Sequence, residues 1–151
     1  MFYYPTEEEK AAYEAIGRFA LEWGKLEHWL YLNLFHAKVK SSHFTTLRIK
    51  NWTKLILKKY GEESGIGACA VKCELDLLNI MEVRHRLIHG ALGAINDNSR
   101  IIMLYVGKTG ENETTIYTIE QLHDFCHQIG LLKGVVNMIN SGNIPLGYPE
   151  S

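Results

Sequence analysis

Cysteine is scarce: there are three in 151 residues, an odd number, and Cys69 and Cys73 stand four apart in helical sequence. That pattern excludes a disulfide framework and a zinc ribbon, and it suits a reducing compartment. Long apolar runs are also missing. The longest strongly apolar stretch is IIMLYV at 101–106, far short of the roughly 20 residues that a membrane-spanning helix needs. The opening residues, MFYYPTEEEK, are acidic where a secretion signal is basic, so a cytoplasmic chain with no membrane partner is expected. No excess of one charge is present either. A formal net charge of -1 and a pI near 6.6 exclude a uniformly basic nucleic-acid coat, and any contact with a polyanion must be local. The sequence holds no internal repeat, low-complexity segment or internal linker. What remains is 46% hydrophobic and 22% charged, enough for one domain over 1–151 with a substantial core.

The apolar spacing predicts a mainly helical fold of about four helices, with a small antiparallel β-meander before the last. Thr6 and Glu9 have the spacing of a capping box, so a first helix starts near Glu7. Its stripe of Ile16, Phe19, Ala20, Trp23, Leu26, Leu30 and Leu34 carries it to about His36. Glu27 falls inside that stripe, and a carboxylate turned inward needs a partner. A core-edge Arg, Lys or Tyr would serve, as would Arg84 or His89. Gly17 and Gly24 each cost about 1 kcal/mol in a helix relative to alanine, which a closely crossing helix would explain.

Ser41 to Phe44 reads as the cap of a second helix that ends at Tyr60 before Gly61. Lys50, Lys54 and Lys58 stack at four-residue steps along it. Such a row is either a solvated face or a holder of phosphates. A third helix runs from about Gly67 to His89. Strands are expected near 91–95, 100–106 and 113–118, with the meander occupying about 91–118. Thr118 and Gln121 then open a fourth helix whose stripe runs from Leu122 to Ile139 and which ends around Ser141 to Gly142. The tail, about 142–151, contains two prolines and reads as irregular.

The third helix ends in EVRHRLIHG at 82–90. At about 100° per residue, Leu77, Met81, Ile88, Leu78, Val71 and Leu75 span an apolar arc of roughly 160°. Glu82, His85 and His89 fall inside this arc, with Arg84 and Arg86 at its edges. Three readings compete for the cluster. It is a helix end whose cations favour the negative pole, with Glu82 and Arg86 paired at i,i+4. Or it is a dimetal centre using Glu82-x-x-His85 and Glu120-x-x-His123, with Glu27 as a third ligand. That count fails, because the second helix has no glutamate between Ser41 and Tyr60, so no metal and no cofactor is expected. The third reading is RNA cleavage through the 2′-hydroxyl. It needs a proton acceptor, a proton donor and a cation on the phosphate, and histidine and arginine supply these. Arg84 and His89 stand about 7.5 Å and 140° apart on the helix; they cannot stack on one another, but both can reach one phosphate.

Arg84, four intervening residues and His89 resemble the Arg-x4-6-His signature of HEPN domains (higher eukaryotes and prokaryotes nucleotide-binding). RHRLIHG is similar to the family's Arg-Asn-x-aliphatic-x-His-Gly, with His85 where asparagine often stands. Glu27 in GKLEHWL resembles the glutamate of the family's early helix. The likeness covers about residues 7–90 and the last helix, with the meander as a decoration. It implies a helical bundle that acts as a metal-independent endoribonuclease and dimerises with the two motifs facing each other. Two-fold pairing also suits the chemistry, since one His89 serves only as acid or as base.

The expectation is therefore RNA cleavage at a homodimer cleft built on Arg84 and His89, supported by His85 and Glu27. Lys50, Lys54, Lys58 and Arg86 would contact RNA, and an antitoxin or regulatory protein is a further candidate partner. Ala91 stands where one HEPN-toxin variant carries tyrosine, so modification there is not expected. The alternative is a non-catalytic HEPN-like module that binds a nucleotide, RNA or a protein through the same cleft.

Overall fold

The computed structural model describes residues 2–96, 100–107 and 109–148, so the turn residues expected at 97–99, Lys108 and the last residues of the tail lie outside the description. The chain is mainly helical: α1 (Glu7–His36), α2 (Thr45–Tyr60), α3 (Gly65–His89), a meander of β1 (Ala91–Asn96), β2 (Arg100–Val106) and β3 (Asn112–Thr118), then α4 (Ile119–Asn140). The strands form one antiparallel sheet in the order β1-β2-β3. Among the described residues no helix is long and apolar enough to cross a membrane.

Both expected capping boxes form. The Thr6 and Glu9 side chains each accept the other's backbone N–H, at 3.2 and 2.8 Å, and Thr118 and Gln121 do the same at 3.0 and 2.9 Å. α2 differs. Its N-cap is Phe44, which offers no side-chain bond, while Ser42 Oγ accepts the Phe44 N–H at 3.1 Å. α1 closes without glycine. Lys38 takes a left-handed φ of 57°, Lys38 N donates to Phe35 O at 3.0 Å, and Val39 N donates to Leu34 O at 2.9 Å, which together make a Schellman closure.

The contacts gather into two compact units, residues 1–23 with 82–127, and residues 24–81 with 128–151. In the first, Ala12, Ala15, Phe19 and Trp23 of α1, Leu87, Ile101, Met103, Tyr117 and Leu122 are buried. Phe125 meets both Phe19 and Tyr117 edge-on, each at 6.3 Å. In the second, Leu26, Leu30 and Leu34 of α1, Ile49, Trp52 and Ile56 of α2, Cys69, Cys73 and Leu77 of α3, and Ile129, Val136 and Ile139 of α4 make the core. Trp52 Nε1 donates to Asn140 Oδ1 at 2.8 Å, and the Tyr148 hydroxyl donates to Asp76 Oδ2 at 2.7 Å, tying the irregular tail to α3.

Two expectations are corrected. Among the described residues nothing lies within 4 Å of where a Cβ on Gly17 or Gly24 would sit, so no described helix crosses closely at either glycine. On α3 the buried line is Ala70, Cys73, Leu77, Ile80 and Leu87, whereas Val71, Leu75 and Ile88 are 47%, 56% and 42% exposed. The inward face is therefore turned by roughly a third of a turn from the arc drawn through the large apolar residues. Small Cys and Ala side chains fill the line that a hydrophobicity pattern passes over.

Candidate functional site

That rotation changes how each member of the 82–90 cluster is presented. The line Ala70, Cys73, Leu77, Ile80 and Leu87 advances by alternating steps of three and four, and Arg84 occupies its one skipped position. Arg84 is accordingly half-buried, while Glu82 and His89 are exposed and His85 is half-buried. A guanidinium on a buried helical line, one turn from the helix end, keeps its stem covered and extends its head toward solvent.

Arg84 Nη1 lies 3.5 Å from His89 Nε2. This is longer than a good hydrogen bond, so the two groups are neighbours without being consumed by each other. Among the described residues neither has another polar partner, so both remain available to a ligand. The His89 ring packs against His85, with centroids 4.8 Å apart. His85 is anchored in turn: its Nε2 and the Tyr105 hydroxyl are 2.7 Å apart, with the direction of donation set by the histidine tautomer. Arg84, His85 and His89 thus come together at the end of α3.

Tyr105 was not among the expected site residues, though the pattern for finding it is present. Side chains alternate along a strand, and Ile101 and Met103 of β2 are buried, so Tyr105 belongs to the same face. Ala91 pairs with Leu104, which returns β2 past the end of α3. Gly90 permits that return, because a Cβ there would fall 2.3 Å from Arg86 O, 3.1 Å from Leu104 O and 3.3 Å from Met103 Cε.

Arg86, expected to contact RNA, is occupied within the protein. Its Nε donates to Glu82 Oε1 at 3.1 Å, Nη1 to Thr115 Oγ1 at 2.6 Å, and Nη2 pairs with Glu113 Oε2 at 3.0 Å. Its guanidinium lies 5.8 Å from the centre of the Tyr105 ring. Burial works to lower its pKa, but the bond to Glu82 and the charges of Glu113 and Glu82 outweigh it and hold the pKa above its ordinary value. Arg86 is a clamp from α3 to β3. Burial, reinforced by Glu82 and opposed by Arg86, raises the neighbouring Tyr117 hydroxyl.

The remaining expected residues lie in the other unit. Glu27 is half-buried and accepts a hydrogen bond from the Thr45 hydroxyl. Its partner is thus neither a core-edge cation nor a tyrosine. Lys50, Lys54 and Lys58 are exposed and have no partner among the described residues. α2 carries no acidic residue. Among the described residues no three His, Cys, Asp or Glu side chains gather closely enough to hold a metal ion. Comparison with family models, curated proteins and solved structures gives no match for this chain.

Proposed function

We propose that this chain is a HEPN-like, metal-independent endoribonuclease, with Arg84 and His89 as its reacting pair. The observation that carries the reading is the presentation of those two groups: 3.5 Å apart, reached by solvent, and engaged by no competing carboxylate among the described residues. A phosphate placed against both would meet a charged two-pronged donor and an imidazole that can take up or give a proton. In the reaction the RNA 2′-oxygen gives up its proton and attacks phosphorus, and the 5′-oxygen leaves with a proton. One His89 supplies one of these transfers, and a second copy of the chain, paired two-fold, supplies the other. His85, held by Tyr105, fixes the ring of His89 from behind and is a positioning residue. The unpaired row of Lys50, Lys54 and Lys58 offers phosphates a track. Glu27, whose Oε1 accepts from Thr45 and which lies in the other unit, is given no part in the two proton transfers. An antitoxin or regulatory protein would act by covering the cleft.

The test is incubation of labelled RNA with the purified protein in excess chelator, beside His89→Ala and Arg84→Ala. Cleavage that survives chelation and is lost in both variants is expected. An inert wild-type protein that still binds RNA would sink the enzyme and leave the non-catalytic module.

A further inference from the structure

A second set of chemistry-bearing side chains lies on α1, within the unit of residues 24–81 and 128–151. His28, Tyr31 and Phe35 recur at steps of three and four, and their rings form a stack. His28 and Tyr31 are 6.1 Å apart with planes at 25°, and Tyr31 and Phe35 are 6.1 Å apart at 26°. His36 meets Phe35 edge-on at 5.8 Å. His28, Phe35 and His36 are exposed, Phe35 at 61%, so core packing does not account for the row. The Arg48 guanidinium sits 5.6 Å from the centre of the Tyr31 ring. Arg48 Nε donates to Ser42 O at 2.6 Å, which fixes the arm and leaves its terminal nitrogens without a polar partner among the described residues.

Two open hollows flank these rings. One, of about 380 Å³, is lined by Gly24, Glu27, His28, Tyr31 and Arg48. The other, of about 540 Å³, is lined by Phe35, His36, Lys38, Val39 and Lys40. The first offers a carboxylate whose Oε1 is satisfied by Thr45 and whose second oxygen has no partner among the described residues. The second offers two lysines. Flat exposed rings stack on any nucleobase, fixed cations hold phosphates, and a carboxylate accepts from a base's N–H edge. Glu27 repels phosphate, which assigns the first hollow to a base and the Lys38 and Lys40 end to the backbone. At 100° per residue Lys50, Lys54 and Lys58 stand about 160°, 120° and 80° around α2 from Arg48, so the row diverges from this face and is not part of it.

We propose that this face binds single-stranded RNA: unpaired bases stack on the exposed rings of His28 and Phe35, one base edge meets Glu27, and the chain's phosphates run along Lys38 and Lys40. The inference rests on the chemistry of these residues, so it stands or falls separately from cleavage at Arg84 and His89.

Fluorescence anisotropy with short 2′-O-methyl single strands, which cannot be cut through the 2′-hydroxyl, separates binding from cleavage. Loss of a stacking ring is expected to weaken binding roughly tenfold in His28→Ala and in Phe35→Ala. Glu27→Gln is expected to reorder the preference among the four homopolymer strands, which a merely structural role would not do. Both ring substitutions fall at exposed positions, and circular dichroism checks that each variant is folded. Unchanged affinity in folded ring variants, equal affinity for a duplex, or no binding by the wild type overturns the proposal.

Discussion

Arg86→Met removes the guanidinium while keeping most of the stem, and the cost follows from what that group touches. Its pair with Glu82 is an i,i+4 surface contact with 25% and 55% of the side chains exposed, worth about 0.3–0.5 kcal/mol. The pair with Glu113 joins α3 to β3 at 25% and 44% exposure, which places it near the upper end of the roughly 0.2–1 kcal/mol seen for exposed pairs. The bond to Thr115 is charge-assisted and part-buried, and such bonds contribute about 1.5–3 kcal/mol. Discounted for solvent, the loss should be about 2–3 kcal/mol, concentrated on the attachment of β3. Urea unfolding of wild type, Arg86→Met, Glu113→Gln, Glu82→Gln and the two double variants measures it. The Arg86–Glu113 coupling should exceed the Arg86–Glu82 coupling, and hydrogen exchange should quicken first in β3. Full stability in Arg86→Met, together with weakened RNA affinity, would refute the clamp and return Arg86 to the role its sequence position suggested.

Other consequences are quicker to check. Gly17 meets nothing within 4 Å, so Gly17→Ala should raise stability by about 1 kcal/mol in a thermal melt; a loss would reveal an unseen contact. Lys38 carries a left-handed φ of 57°, and Lys38→Gly should stabilise by about 1 kcal/mol by relieving it. Burial, with Asp76 adding, pushes the Cys73 thiol from 9.0 up to about 12. The unfolded chain therefore gives up this proton from about pH 9 while the folded chain keeps it, so stability should fall as pH rises between those values. A thiol reagent should modify Cys73 only on unfolding, and native-state labelling at pH 8 would contradict its burial.

The helix ends were legible because each rests on local chemistry. Thr6 with Glu9 and Thr118 with Gln121 satisfy end N–H groups through bonds three residues long, a distance that pattern reading spans well. Gly61 and Gly90 closed helices where expected. The facing of α3 was not legible. Val71, Leu75 and Ile88 look like core but are partly exposed, while Cys69, Ala70 and Cys73 are buried. Size and hydrophobicity mark which residues prefer burial, and the small ones that line a buried seam signal weakly. The same error hid Arg84 on that seam and placed Glu82 and His89 inside. Tyr105 and Thr115 were missed for a different reason: their contacts to α3 span 20 and 29 residues and depend on strand register. Glu27 found Thr45, 18 residues away across a turn, because a hydroxyl satisfies a half-buried carboxylate without a second charge.

The measurement that bears most directly on the nuclease reading is the identity of the product ends when RNA is cut in the presence of chelator. Attack by the 2′-oxygen leaves a 2′,3′-cyclic phosphate on one fragment and a 5′-hydroxyl on the other. Wild-type protein should yield those ends, with Arg84→Ala and His89→Ala reducing the rate by a hundredfold or more, on the order expected for loss of an acid–base or phosphate-stabilising group. Products ending in 5′-phosphate and 3′-hydroxyl, or cleavage unchanged in either variant, would contradict it.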